Sequence, residues 1–134
     1  PKADAAVAAL EAENDFAPGS VKLIPTVESV AAVENVSALL ASCPRIAAVV
    51  FNARNFLKDL GVADTGDAMQ ILHARSKVAL ACRAAGVPAI DRPWYDAKDR
   101  AGFEADARNA RALGFTGKLA ANGGQVPLIN EIFA

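Results

Sequence analysis

Apolar runs alternate with amphipathic stretches along the chain. Short runs rich in valine, isoleucine and alanine predict strands that are covered on both faces, and stretches with apolar residues at helical spacing predict helices. The predicted strands are 21–28, 46–51, 87–90 and 118–121, and the predicted helices are 4–14, 29–42, 68–85, 103–113 and 125–133. Polar segments at 52–65 and 91–98 predict loops. Strands that alternate with helices in this way predict a parallel sheet with right-handed crossovers.

This alternation leaves two architectures open, a four-stranded doubly wound sheet and four consecutive units of a (β/α)8 barrel. Four units in 134 residues are half of a barrel, since a complete one has roughly 250 residues. Neither a P-loop nor a GxGxxG motif follows a strand, which favours the half-barrel. A lone half-barrel exposes unpaired strand edges. We therefore expect residues 1–134 to form a single partial domain that associates with the missing half or forms a homo-oligomer.

Composition and charge argue against several classes of protein. The chain is 53% hydrophobic and 22% charged with a net charge of −1, which is typical of a globular domain without a nucleic-acid or membrane-surface partner. The longest apolar run, 46–51, is too short to span a bilayer. No signal-peptide pattern is visible, so we expect a cytoplasmic or organelle-matrix location. Cys43 and Cys82 form no metal or disulfide motif and predict buried, reduced thiols.

Glu28 is the first candidate for chemistry. It directly follows the apolar run VKLIPTV, and a helical pattern begins at the next residue. The carboxyl ends of parallel strands are the edge at which α/β enzymes bind their substrates. We therefore interpret Glu28 as a ligand of a divalent metal ion. The alternative is a carboxylate at the start of a helix, stabilised there by the helix macrodipole.

Four segments of the sequence resemble a known family. They are LIPTVES, VVFNARNFLKDLG, ARSKVALACRAAGVPAIDRPWYD and ALGFTGKLAANGGQVPLINEIF. In this order they resemble the HpcH/HpaI aldolase–citrate lyase superfamily, and within it the citrate lyase beta-subunit-like branch with the malyl-CoA and citramalyl-CoA lyases. The resemblance implies an α/β fold that is the second half of a TIM (β/α)8 barrel. It also implies a Mg²⁺-dependent lyase or aldolase that acts, through a metal-stabilised enolate, on a 2-oxo acid or a 3-hydroxyacyl-CoA.

The sequence departs from this family at the positions that carry its chemistry. In the family, Mg²⁺ lies between a Glu after the fifth strand, which Glu28 matches in VES, and an Asp after the sixth. The sixth-strand motif reads roughly FGAEDL, but FNARNF stands here, so Asn52, Arg54 and Asn55 replace Gly, Glu and the ligand Asp. We expect Glu28 and Asn55 to form a weakened Mg²⁺ site, because one negative charge is lost. The alternative is a diverged, non-catalytic barrel that serves binding or subunit assembly.

Other polar residues have weaker claims to a role in the site. Asp91 ends the predicted seventh strand of the barrel, and we expect it to contact substrate, with loop capping as the alternative. Asp59 could replace the missing carboxylate, although its DLG context is more typical of a structural turn. The remaining positions are expected to be structural: Lys118 in a charge pair, His73 as a surface or packing residue, and Trp94 and Tyr95 in packing at the rim.

Overall fold

The computed structural model describes residues 2–134, whose four strands form one parallel sheet. The strands are β1 (Thr26–Val27), β2 (Val49–Phe51), β3 (Ala89–Asp91) and β4 (Gly117–Lys118). They pair in the order β1-β2-β3-β4, each parallel to the next. A doubly wound sheet reverses its strand order at a switch point, whereas successive barrel units follow one another around the sheet. The observed order therefore excludes the doubly wound alternative.

Helices lie between the strands, as the alternation predicts. They are α1 (Lys2–Glu13), α2 (Val30–Glu34), α3 (Val36–Ala41), α4 (Ala53–Leu60), α5 (Leu72–Ala85), α6 (Arg100–Ala112) and α7 (Val126–Phe133). Short 3-10 turns, Ala68–Ile71 and Gly123–Gln125, precede α5 and α7. Within residues 2–134, no helix has both the length and the apolar character needed to cross a membrane.

The prediction of a loop over 52–65 is wrong, because this segment contains α4. Three apolar side chains at helical spacing are buried beneath the helix: Ala53, Phe56 and Leu57. Asn52 caps its first turn, and its side-chain oxygen accepts the backbone N–H of Asn55 at 3.3 Å. Gly61 ends the helix in the left-handed region, with φ at 79°. Two well-capped ends and a narrow apolar stripe are sufficient for a two-turn helix, even where most residues are polar.

Several other predicted elements are shorter or divided, including the last strand, predicted over 118–121 and observed as β4. The strand predicted over 21–28 is regular only in β1, and an isolated bridge joins Leu23 to Ile46 before it. The helix predicted over 29–42 divides at Asn35 into α2 and α3. The side-chain amide of Asn35 donates to a carbonyl one turn earlier at 2.8 Å. Such local side-chain bonds compete with the regular helix ladder, which accounts for the break.

The core lies between the sheet and the surrounding helices. Its most buried side chains come from both layers: Val27, Val49, Phe51, Val36, Val78 and Cys82. Cys43 and Cys82 are both buried and free, as predicted. Burial raises the pKa of Cys82 to about 11. This thiol is therefore protonated at neutral pH and is a packing residue rather than a nucleophile.

Candidate functional site

Polar side chains meet at the carboxyl edge of the sheet. Glu28 follows β1, Asn52 follows β2, and Asp91 and Lys118 are the last residues of β3 and β4. Since all four strands are parallel, their carboxyl ends lie on the same side. This edge is the candidate site, and its polar groups divide into two sets, one around Glu28 and one around Asp91.

The two residues predicted as metal ligands, Glu28 and Asn55, are in direct contact. Nδ2 of Asn55 donates to Oε2 of Glu28 at 2.8 Å, and Nδ2 of Asn52 donates to the same oxygen at 3.1 Å. Because α4 begins immediately after β2, its first turn brings Asn55 beside the end of β1. The sequence predicts no role for Asn52 in the site, since it only replaces a glycine of the family motif. Its position directly after a buried strand was the available signal.

Glu28 and Asn55 fit a Mg²⁺ ion whose remaining coordination positions are filled by substrate and water. They are too few to enclose the ion with protein ligands alone. Glu28 is exposed, and within residues 2–134 its Oε1 accepts no hydrogen bond. Asn55 can offer an amide oxygen as a second, neutral ligand. Magnesium is commonly bound through one or two carboxylates together with water and substrate oxygens. The described part of the chain holds no group of three or more His, Cys, Asp or Glu side chains that could bind a metal. Binding by Glu28 and Asn55 stays a prediction.

Arg54, the charged replacement in the same motif, contacts an aromatic ring. Its guanidinium carbon lies 3.8 Å from the ring centroid of Tyr95. On the loop that carries Tyr95, the guanidinium carbon of Arg92 lies 5.6 Å from the ring centroid of Trp94. Trp94 is partly buried and Tyr95 is exposed. These two aromatic residues therefore support arginine side chains at the rim of the sheet.

Asp91 is fully buried, and both of its carboxylate oxygens are occupied by cations. Arg75 of α5 donates to Oδ1 at 3.1 Å and to Oδ2 at 2.8 Å, and Lys118 donates to Oδ2 at 2.7 Å. Asp106 of α6 accepts hydrogen bonds from Arg75, Lys118 and Arg92. Lys118 is thus a structural charge partner, as predicted, although it ends its strand rather than beginning it. The structure places Asp91 in a buried ion-pair network, and its substrate contact stays a prediction.

The electrostatics of this cluster favour ionised carboxylates. Burial, the largest effect, raises the pKa of Asp106. The positive charges of Lys118, Arg75 and Arg92, with the hydrogen bond from Lys118, lower it by more, so the net pKa lies below its usual range. Sequence reasoning missed Arg75 and Asp106. Their signal was a charged residue within the apolar face of a helix, as at Asp106 between Phe103 and Ala107.

His73 and Asp59 lie outside the candidate site. His73 is exposed on α5, as predicted for an ordinary surface residue. Oδ2 of Asp59 accepts the backbone N–H of Val30 at 2.8 Å. Together with Ser29, whose Oγ accepts the N–H of Ala32 at 3.1 Å, it caps the first turn of α2. Asp59 is therefore a capping residue and does not replace the missing carboxylate.

Comparison with known proteins supports the sequence resemblance. The family described as HpcH/HpaI aldolase/citrate lyase matches residues 2–123. A citrate lyase subunit beta-like protein of Deinococcus radiodurans is 42% identical over 90 residues, which are 67% of this chain and 32% of that protein. An L-malyl-CoA/beta-methylmalyl-CoA lyase of Cereibacter sphaeroides is 34% identical over 148 residues, covering 97% of this chain and 46% of that protein. The chain thus spans half or less of the length of these relatives.

A solved structure shows the same fold. It is the citrate lyase beta subunit of Mycobacterium tuberculosis complexed with oxaloacetate and magnesium. The likeness has a TM-score of 0.76 at 23% identity and covers 84% of this chain and 52% of the other. The predicted fold, four parallel strands alternating with helices as the second half of a TIM (β/α)8 barrel, is confirmed.

Proposed function

The chain belongs to the HpcH/HpaI aldolase/citrate lyase family, and from that membership we propose that its protein is a carbon–carbon lyase. The proposed substrate is a 2-oxo acid or a 3-hydroxyacyl-CoA of the citryl, malyl or citramalyl type. The names of the citrate lyase and malyl-CoA lyase relatives support this substrate class. This chain would supply the second half of the barrel and one part of the active site, with association or oligomer formation completing it.

The observation that carries the proposal is the contact between Glu28 and Asn55 at the carboxyl edge. The proposed cofactor is Mg²⁺, which Glu28 and Asn55 would hold from the ends of β1 and β2. When bound, the ion would polarise the carbonyl of the 2-oxo acid and offset the negative charge that develops on its oxygen.

The chain's own residues orient this ligand set. Asn52 and Asn55 both donate to Oε2 of Glu28, which fixes the carboxylate at the edge and leaves Oε1 free for another partner. Neutral Asn55 supplies no charge to balance a divalent cation. We therefore propose that the protein binds Mg²⁺ weakly by itself and more tightly when substrate oxygens complete the coordination.

Two substitutions in the protein at its natural length test this proposal. We expect Asn55→Asp to raise the affinity for Mg²⁺, since it adds a second carboxylate beside Glu28, and Glu28→Gln to abolish binding. Calorimetric titration with MgCl₂, without and with oxaloacetate, measures both effects. Asn109→Asp, which adds the same charge at an exposed position of α6, is the matched control and should leave affinity unchanged.

Turnover on malyl-, citramalyl- and citryl-CoA tests the reaction itself. The proposal expects cleavage that depends on Mg²⁺ and is lost in Glu28→Gln. Absence of metal-dependent cleavage across this panel would contradict it.

The second candidate is a diverged, non-catalytic barrel that serves binding or assembly. The observation that favours it is the amide pair at Glu28, because Asn52 and Asn55 satisfy the carboxylate without a metal ion. This candidate expects no turnover and no Mg²⁺ binding in the natural protein, with binding gained in Asn55→Asp. Tight Mg²⁺ binding that Glu28→Ala abolishes would count against it.

A further inference from the structure

The buried charge cluster around Asp91 contains one more cation than carboxylates. Arg75, Lys118 and Arg92 pair with Asp91 and Asp106. The Arg92 side chain is 13% exposed, whereas none of the other four exceeds 4%. A buried charge without a counter-charge is costly in free energy. An anion beside Arg92 would balance the cluster.

Arg92 has an N–H group that no acceptor in the described chain satisfies. Its Nη2 donates to Asp106 at 3.0 Å. Its Nε is buried and has no hydrogen-bond partner within the described chain, and the same holds for Nε1 of neighbouring Trp94. Unpaired buried donors are uncommon and costly. Both residues line one cavity, so the two residues with unsatisfied donors lie together at its wall.

This cavity, of about 520 Å³, lies between the segment 64–66 after α4 and the segment 92–96 after β3. Arg54 provides a second cation on its wall and is held against the ring of Tyr95. Stacking on an aromatic face leaves the N–H groups at the edge of a guanidinium available for hydrogen bonds. The cavity therefore has two arginine side chains, each supported by an aromatic ring.

Two carboxylates also line the cavity, but local backbone groups engage both. Oδ1 of Asp64 accepts the N–H of Gly66 at 2.9 Å. Oδ1 of Asp96 accepts the N–H groups of Lys98 and Asp99 at 2.9 and 3.3 Å. Neither forms an ion pair with Arg54 or Arg92 within residues 2–134. Arg54 therefore has no carboxylate partner in the cavity, and Arg92 keeps the N–H groups that Asp106 does not accept.

We propose that this cavity binds an oxyanion, the carboxylate or phosphate group of a small ligand, between Arg54 and Arg92. The planar fork of a guanidinium matches both groups geometrically. The site is distinct from the Glu28–Asn55 pair. The inference goes beyond the lyase proposal, since an oxyanion can bind here whether or not the barrel cleaves a carbon–carbon bond.

Calorimetric titration of the protein at its natural length with inorganic phosphate, and separately with acetate, tests the site at constant ionic strength. We expect Arg54→Gln and Arg92→Gln each to weaken binding by about tenfold or more, because each removes a charge-assisted hydrogen bond. Tighter binding of phosphate assigns a phosphate group to the ligand, and tighter binding of acetate assigns a carboxylate. Either result supports the site.

Matched variants separate specific binding from general charge effects. Lys58→Gln removes one positive charge from the exposed side of α4, outside the cavity, and should leave binding unchanged. Glu28→Gln should not weaken it either, which separates this site from the proposed metal site. If Arg92→Gln fails to fold, the binding measured for Arg54→Gln decides between the outcomes, because Arg54 is exposed and its substitution should leave the fold intact. Binding of neither anion, or equal weakening by Lys58→Gln and Arg54→Gln, would overturn the proposal.

Discussion

At the scale of single residues, Arg75 joins two helices and the end of a strand. It extends from α5 to Asp91 at the end of β3 and to Asp106 on α6. Its side chain is 1% exposed, and those of Asp91 and Asp106 are 0% and 4% exposed. Removing a cation from a buried network takes hydrogen bonds from its carboxylates, which costs more than losing an exposed surface pair. Arg75 therefore stabilises the carboxyl edge on which the candidate site lies.

Substituting Arg75 tests this role directly. We expect Arg75→Met to lower the free energy of unfolding by about 1–3 kcal/mol, because Asp91 and Asp106 lose its hydrogen bonds while other buried cations still balance their charge. Urea denaturation of the protein at its natural length measures the change. Arg83→Met on the exposed side of the same helix should cost no more than about 0.5 kcal/mol. Similar losses in the two variants would show that the buried network does not have the stabilising role given to it here.

Glu11, in α1, makes the stability of the fold depend on pH. Hydrogen bonds from Arg45, then Val21, and from Gly19 lower its pKa to about 2 from an ordinary 4.5, against the opposing effect of burial. Because the unfolded state takes up a proton at higher pH than the folded state, Glu11 stabilises the fold fully above pH 4.5. This contribution decreases as the pH falls towards 2.

Thermal melting between neutral pH and pH 2 measures this contribution. We expect the melting temperature of the wild type to exceed that of Glu11→Gln at neutral pH, and the difference to shrink on acidification through the window below pH 4.5. Glu13→Gln, which removes an exposed carboxylate from the same helix, is the control. A wild-type advantage that is constant with pH would contradict the assignment.

At the scale of elements, α4 determines the geometry of the candidate site. Without this helix, Asn55 would lie in a loop with no fixed relation to Glu28. Asn52, the N-cap of α4, contributes twice. Its side-chain oxygen accepts a hydrogen bond from the first helical turn, and its side-chain nitrogen donates to Glu28. The position of the proposed ligands thus depends on where α4 begins and ends.

The glycine that ends α4 provides a test of this element. We expect Gly61→Ala to destabilise the protein by about 1 kcal/mol, because φ is 79° there and a Cβ disfavours the left-handed region. Gly123→Ala is the matched control. The φ angle of Gly123 is not positive, and a Cβ added there would meet no atom within 4 Å. Denaturant midpoints of both variants give the comparison. An equal effect at the two positions would show that the left-handed C-cap of α4 does not contribute.

At the scale of the whole molecule, the sheet does not close on itself. β1 and β4 are its two outer strands, each paired on one side only within residues 2–134. Large apolar side chains that precede β1 in the chain are exposed, with Leu10, Phe16 and Ile24 each more than half exposed. Unpaired parallel edges flanked by apolar surface are sites of association.

We therefore expect the isolated 134-residue chain to self-associate, and we propose that the missing half of the barrel, when present, pairs these edges and reduces association. Sedimentation velocity over a range of concentrations distinguishes the two. Ile24→Lys in the isolated chain should reduce association, and Lys22→Arg, nearby and exposed, should not. A monodisperse monomer with a cooperative thermal transition would contradict the expectation that this domain is partial.

The sequence by itself determined the α/β fold class, the order of the four strands and of the helices other than α4, and the position of Glu28 at a strand end. Apolar periodicity and strand–helix alternation depend on residues close together in the chain, so these features can be predicted locally. The local pattern failed at α4, where capping and only three buried side chains outweighed a polar composition.

Only the tertiary structure decided which side chains meet. It placed Asn55 against Glu28, 27 positions apart, and it buried Arg75 between Asp91 and Asp106, which lie on different elements. It also revealed the unpaired donor of Arg92 beside a cavity. Hydrogen-bond partners and charge balance depend on distances between elements distant in sequence, and burial changes what an unpaired charge costs. Glu28 could therefore be identified from its place in the sequence and Asn55 from the family motif, but the contact of Asn52 with Glu28 could not.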